Sequence, residues 1–372
     1  MKLKIGSRGP NVSFFQHILK SINLYQGNID GIFGINTQNA VKAFQTNLNL
    51  DSNGIIDDKF IAELLPYITV PTDIYYTSDI VEIVLDSFKY KYKFLEFNTI
   101  GKSVLGKNIQ SVTIGTGQTS VIYVATTHAN EWITTPLLLK FIEDYAISYQ
   151  NGTNIYGKAS TELFSKCTIH AVVLLNPDGL DLVNDALDKN SLTYLNAVEI
   201  SRNYPNIPFP AGWKANISGI DLNLQFPALW EKAKEVKFSQ GYTSPAPRDF
   251  VGQYPLEAQE ALAIYDYIIS NNFSLLLTFH TQGEVIYWKF LDYVPPNAEF
   301  IAQELSNSSG YLLENVPYAS SFAGLKDWFI EQYNLPGFTI EAGLGINPLP
   351  ISQFDRIYND CLGILVLGAY LA

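Results

Sequence analysis

From about residue 79 onward, short uninterrupted apolar runs rich in β-branched residues alternate with longer amphipathic stretches. Runs such as Val121-Ile122-Tyr123-Val124-Ala125 and Leu275-Leu276-Leu277-Thr278-Phe279 show no apolar/polar alternation, so each suits a strand covered on both faces. Such strands pair in parallel, and parallel neighbours need long crossovers, which the amphipathic stretches supply as helices. The pattern predicts an α/β domain over residues 79–372, a mixed, mainly parallel sheet with helices on both faces.

A different pattern fills residues 1–68. Val12, Phe15, Gln16 and Leu19 recur with identical spacing as Val41, Phe44, Gln45 and Leu48. Positions i, i+3, i+4 and i+7 share one helical face, so two like helices are predicted. Each is followed by a glycine turn, Gly27-Asn28-Ile29-Asp30-Gly31 in the first copy and Asn53-Gly54-Ile55-Ile56-Asp57 in the second. Together they form a small all-α domain. Residues 69–78 pass through Val70-Pro71-Thr72 and paired tyrosines without helical period and are expected to be a linker. A chain of 372 residues exceeds the usual size of one core, which agrees with two domains.

The net charge of -12, with no basic run, leaves nothing to hold a phosphate backbone, so nucleic acid is excluded as a partner. The longest apolar stretch, Leu362 to Ala372, falls far short of the roughly 20 residues that span a bilayer, so no membrane association is expected. Cys167 and Cys361 sit in apolar runs without zinc-ligand spacing and are expected to be buried free thiols. Met1 to Gly6 leads directly into polar residues with no signal-peptide core, so a cytoplasmic location is expected. Action outside the cytoplasm would then come during sporulation or after lysis. Nothing in the sequence bears on oligomeric state.

Of four histidines, two follow apolar runs directly: His128 after Val121–Thr127, and His280 after Leu275–Phe279. In open α/β sheets, ligands bind beyond the carboxyl ends of strands, which is where these imidazoles fall. Glu131 lies three residues after His128, on the same side of a helical turn. Two imidazoles and one carboxylate make a zinc set with a position left for water, the arrangement of carboxypeptidase A. A third run, Phe338-Thr339-Ile340, ends in Glu341, a carboxylate placed to act as general base.

Two resemblances accompany these patterns. The segment Asp30-Gly31-Ile32-Phe33-Gly34-Ile35-Asn36-Thr37 resembles the signature of a peptidoglycan-binding domain found on wall hydrolases. His128-Ala129-Asn130-Glu131-Trp132, Asn176-Pro177-Asp178-Gly179, Gly219-Ile220-Asp221-Leu222-Asn223, His280 and Glu341 resemble, in order, the zinc carboxypeptidase family of the carboxypeptidase A type. That resemblance implies one Zn2+ per chain, held by His128, Glu131 and His280, with Glu341 as base. It also implies an oxyanion-stabilising cation at Lys214, where Trp213-Lys214 stands for the family's Trp-Arg pair. His17 and His170 match nothing and are expected to be structural.

The resemblance implies a substrate contact at Asn223, but the family's arginine for a terminal carboxylate is here Leu224. A leucine cannot pair with a carboxylate. The run Asp221 to Pro227, with Ala323 to Ile330 and Asn347-Pro348-Leu349-Pro350, resembles the γ-D-glutamyl-diamino acid endopeptidase branch of the family. This implies hydrolysis of the γ-D-glutamyl-meso-diaminopimelate bond in peptidoglycan stem peptides or muropeptides. Some cation should meet the substrate carboxylates, and of four arginines Arg8 belongs to the first domain and Arg356 to the C-terminal region, leaving Arg248 and Arg202, with Arg248 preferred. The family's mobile tyrosine falls near Tyr318, although an ungapped count from Asp327-Trp328 lands on Ala319. Alternatives are a metallocarboxypeptidase acting on protein C-termini and an inactive wall-binding protein that kept the fold.

Overall fold

The computed structural model describes residues 1–372. An eight-stranded sheet forms its centre, in spatial order Glu96–Lys102, Asn108–Ile114, Cys167–Val172, Thr119–Ala125, Leu275–His280, Gly337–Glu341, Val285–Tyr287, Leu312–Glu314. The four middle strands, Cys167–Val172 through Gly337–Glu341, run parallel; antiparallel pairing appears towards the edges. This is the mixed, mainly parallel sheet expected, and the middle strands are almost wholly buried because helices cover both faces. The helix Phe354–Tyr370 and the helix Thr134–Asn151 contribute to one apolar layer, and Gln259–Ile269 and Leu325–Tyr333 contribute to the other. No helix is long and apolar enough to cross a membrane.

The parallel register fixes what meets at the rim. Glu341 pairs directly with His280 across two neighbouring strands, and Ala125, three residues before His128, pairs with Phe279. The carboxyl ends of three adjacent strands therefore deliver His128, His280 and Glu341 to one edge.

In the N-terminal region, helices Pro10–Ser21 and Ile35–Asn47 pack with the helix Asp58–Leu64. The repeated glutamine has a specific task. Gln16 Oε1 accepts the amides of Asp30 and Gly31 at 3.1 and 2.9 Å, while its Nε2 donates to Asp30 Oδ1 at 2.8 Å. In the second copy Gln45 Oε1 accepts Gly54 N at 2.9 Å and its Nε2 donates to Asn53 Oδ1 at 3.0 Å. Gly31 and Gly54 sit at φ 67° and 70°, the left-handed turn that each glutamine clamps.

Residues 69–77 carry no helix or strand, but they are not loose. Ile68, Val70, Ile74 and Tyr76 are buried, and Val70 N donates to Glu143 at 3.2 Å. One continuous apolar core joins Phe15 and Phe60 to Val84, Leu138 and Leu365. Cys167 and Cys361 are buried and unpaired. His17 pairs with Asp73 at 2.8 Å, and His170 Nδ1 lies 2.7 Å from Tyr267 Oη; neither reaches the sheet rim.

Candidate metal centre and cleft

The turn after strand Thr119–Ala125 is strained and heavily braced. Thr126 has φ 48°, a left-handed conformation that a β-branched residue rarely adopts and that is typically found where function demands it. Its N–H donates to Thr134 Oγ1 at 2.9 Å, and its carbonyl accepts Asn176 N at 3.1 Å. Asn176 Nδ2 donates to the carbonyls of Thr127 and Ala215 at 3.3 and 3.0 Å, so the Asn-Pro-Asp-Gly motif is structural scaffolding for the rim. Gly179 is required there: a Cβ would lie 2.8 Å from that of Ala129. Ala129 N in turn donates to the Lys214 carbonyl at 3.0 Å, which brings that lysine beside the histidine turn.

His128, Glu131 and His280 are buried and converge. Glu131 Oε2 lies 3.0 Å from His128 Nδ1 and 2.9 Å from His280 Nδ1, and the two Nδ1 atoms are 3.1 Å apart. Zinc holding nitrogen at about 2.0–2.1 Å in a tetrahedron keeps its ligands roughly 3.3 Å apart, so these three atoms are spaced for one such ion. The tautomer agrees: His128 Nε2 donates to Asp221 Oδ1 at 3.2 Å, leaving the Nδ1 lone pair for a metal. The donor set and its supporting carboxylate therefore fit zinc.

The electrostatics favour positive charge at this point. Burial opposes protonation of His128, but the Glu131 and Asp221 carboxylates outweigh it and raise the imidazole to about 9. His280 is lowered by burial, only partly offset by Glu131. Burial alone would raise Glu131, yet His128 and Lys214 hold it well below the carboxylate range. Lys214 Nζ sits 2.9 Å from Glu131 Oε1, and that carboxylate keeps the lysine charged against its own burial. Glu341 behaves oppositely to Glu131: desolvation first, then repulsion from Glu131, pushes it up to about 8.

Two hollows meet at this centre. The first, about 210 Å³, is lined by Lys237, Arg248 and Lys326 with Asp249 and Asp327. The second, about 500 Å³, is lined by Asn130, Asn206, Gln282 and Asn347 and reaches the exposed Ile346. Lys214, Arg248, Tyr287 and Glu341 border both. Both hollows therefore open onto Lys214 and Glu341.

Residues 81–361 match the zinc carboxypeptidase family, peptidase M14. The chain belongs to the zinc carboxypeptidase family. A relative from Lysinibacillus sphaericus, gamma-D-glutamyl-L-diamino acid endopeptidase 1, is 44% identical over 75% of this chain and 68% of its own. An uncharacterized Bacillus subtilis protein, YqgT, is 40% identical over 74% of this chain and 72% of its own. Among solved structures, thrombin-activatable fibrinolysis inhibitor matches with a TM-score of 0.62 at 14% identity, covering 100% of this chain and 97% of that one. Carboxypeptidase A from Helicoverpa armigera matches with a TM-score of 0.59 at 20% identity, covering 88% and 87%. Residues 8–64 match the peptidoglycan-binding domain family.

As a member of the zinc carboxypeptidase family the protein is a metallopeptidase. Around its centre the structure brings together His128, Glu131, His280, Lys214, Glu341, Asn223 and Arg248. Leu224 is buried, and Asn223 Oδ1 accepts Leu325 N at 3.1 Å, so it ties the cleft wall as well as lining it. Arg202 is not brought in. It ends the helix Leu192–Arg202, 70% exposed and paired with Glu199 at 2.5 Å, and lines neither hollow. Tyr318 is exposed and its ring packs edge-on against Phe322; the hollow is lined instead by its neighbours Val316, Pro317 and Ser320. Asp221 and Lys326 stand in the runs that carry the resemblance but without a role there, and Lys237 stands in none. Asp221 and Lys237 act through partners distant in sequence, His128 and Asp249, so no local spacing marks them, and the pairing of Lys326 with adjacent Asp327 does not show that it faces the cleft.

Proposed function

We propose that the enzyme hydrolyses the bond between γ-linked D-glutamate and meso-diaminopimelate in peptidoglycan stem peptides or muropeptides, with one Zn2+ held by His128, Glu131 and His280. The observation that carries this reading is the charge layout of the smaller hollow. Lys326 pairs with Asp327 at 2.5 Å, Lys237 with Asp249 at 2.5 Å, and Arg248 engages Asp249 through Nε at 2.6 Å. Diaminopimelate carries free carboxylates and an ammonium group, and paired charges of both signs suit it better than an apolar side chain. Leu224 in place of a carboxylate-binding arginine, the name of the Lysinibacillus relative and the wall-binding match at 8–64 support the same substrate.

Bound zinc supplies Lewis-acid polarisation of the carbonyl and a more acidic water. The chain's own groups do the rest. Glu341, whose carboxylate is made more basic by burial and by Glu131, takes the proton from the attacking water and delivers it to the leaving amine. Lys214, charged at neutral pH, donates to the oxygen that gains negative charge. Asp221 fixes the His128 tautomer.

The test is incubation of the zinc-loaded protein with L-Ala-γ-D-Glu-meso-diaminopimelate, with released diaminopimelate measured by mass spectrometry. Release is expected, and Glu341→Gln should reduce its rate roughly 10²- to 10⁴-fold with zinc content unchanged. No release, or faster hydrolysis of a blocked α-dipeptide, would overturn the reading.

A further inference from the structure

The larger hollow contains a buried polar atom with nothing to bond. Asn130 lies between two of the proposed ligands in sequence and is 4% exposed. Its Nδ2 donates to the Ala211 carbonyl at 3.3 Å, while its Oδ1 has no partner. Turning the amide over would set its oxygen against another carbonyl oxygen, so this orientation is the consistent one. A buried amide oxygen without a donor carries an uncompensated loss of hydration, and such groups in folded proteins call for an explanation. Nearby Thr127 Oγ1 and His280 Nε2 are also buried and unpartnered, and His280 lines the smaller hollow.

Asn130 lines the larger hollow but not the smaller one. The residues unique to that larger wall include Asn206, Gln282 and Asn347, neutral amides suited to peptide groups rather than to charges. If the zwitterionic leaving group occupies the smaller hollow, the acyl chain must lie here. In a γ-linkage three carbons separate the scissile carbonyl from the next N–H, so an acceptor for that N–H belongs away from Glu341 and Lys214, within the larger hollow.

We propose that Asn130 Oδ1 accepts the N–H of the amide joining L-alanine to D-glutamate, so that the enzyme reads the acyl chain beyond the bond it cuts. The inference rests on the substrate reading above. It makes Asn130 a specificity-determining residue, with the L-alanyl amide as the group it recognises.

One atom exchange tests it. The substrate L-Ala-γ-D-Glu-meso-diaminopimelate is compared with the depsipeptide in which an ester oxygen replaces that single N–H. The wild-type protein should process the amide with a kcat/KM about tenfold to a hundredfold above the ester. Asn130→Ala, with zinc content checked by metal analysis, should treat the two alike. Binding to the Glu341→Gln protein, measured by calorimetry, should show the same preference without turnover. Equal wild-type rates on amide and ester, or a preference that survives in Asn130→Ala, would overturn the role of Asn130 while leaving the cleaved bond as proposed. Absence of release from both substrates would overturn the function reading and this inference with it.

Discussion

Gln16 and Asn130 are both buried carboxamides, one in the helical repeat and one at the rim of the sheet. Gln16 is fully used: its oxygen takes two backbone amides and its nitrogen serves the side chain of Asp30. Asn130 leaves its oxygen idle, and Thr127 and His280 beside it do the same with one atom each. Polar groups buried for stability are satisfied by their own chain; those buried for a ligand need not be. The difference separates an amide wholly spent on the fold from one with bonding capacity left over beside the larger hollow.

The largest effect that sharpens this contrast falls on the structural side. Gln16→Ala strands the amides of Asp30 and Gly31 and should destabilise the protein by about 3 kcal/mol, read as a lower denaturation midpoint. Its kcat on the tripeptide, measured where the protein remains folded, should be unchanged. A change in kcat without loss of stability would break the division between the two regions.

On the other side, Asp221→Asn should cost less stability, about 1–2 kcal/mol for a buried donor left unsatisfied, and weaken metal affinity by about 10- to 100-fold, the usual cost of disturbing a ligand's supporting carboxylate. Asp221 Oδ1 receives His128 Nε2 and its Oδ2 receives Asp249 N, so an amide at this position cannot satisfy both donors. Competition with a chelator would measure the change.

How far the sequence exposes these differences depends on the range of the contact. Uninterrupted apolar runs mark the central strands because burial on both faces leaves a local pattern, and the positions of His128, His280 and Glu341 at their ends follow from it. The Gln16 and Gln45 repeat was likewise readable as a helical face, but the turn that each clamps was visible only as a glycine. The shared core across residues 68–76 was not readable, since nothing local distinguishes a packed non-helical segment from a free one. Sequence ranks Arg248 ahead of Arg202 without separating their surroundings; only the fold shows Arg202 on an exposed helix end and Arg248 at the cleft.

His170 provides a smaller test, because it is a histidine of the structural kind. Burial lowers its imidazole to about 4, beneath the ordinary value of about 6.5. The unfolded chain therefore binds the extra proton between those two values, so this group removes stability as pH falls from about 6.5 towards 4 and adds no further loss below that. His170→Gln, which stays neutral, should lose about 1 kcal/mol less than wild type between pH 7 and pH 5, allowing for solvent at the partly exposed ring. Parallel pH-stability curves for the two proteins would show that His170 is not the group responsible.

The two arginines give the finest discrimination. Arg248 borders both hollows and uses only its Nε in an ion pair, so Arg248→Ala should raise KM for the tripeptide about tenfold through loss of a carboxylate contact. Arg202 forms one exposed pair within its own helix, a contact worth a few tenths of a kcal/mol, and its removal should leave both KM and stability within error. The measurement is a KM comparison at fixed ionic strength, since screening weakens the exposed pair far more than a contact within the cleft. If Arg202→Ala raised KM as much as Arg248→Ala, the substrate would have to reach the helix Leu192–Arg202, and the division between a reading wall and an inert surface would fail at that point.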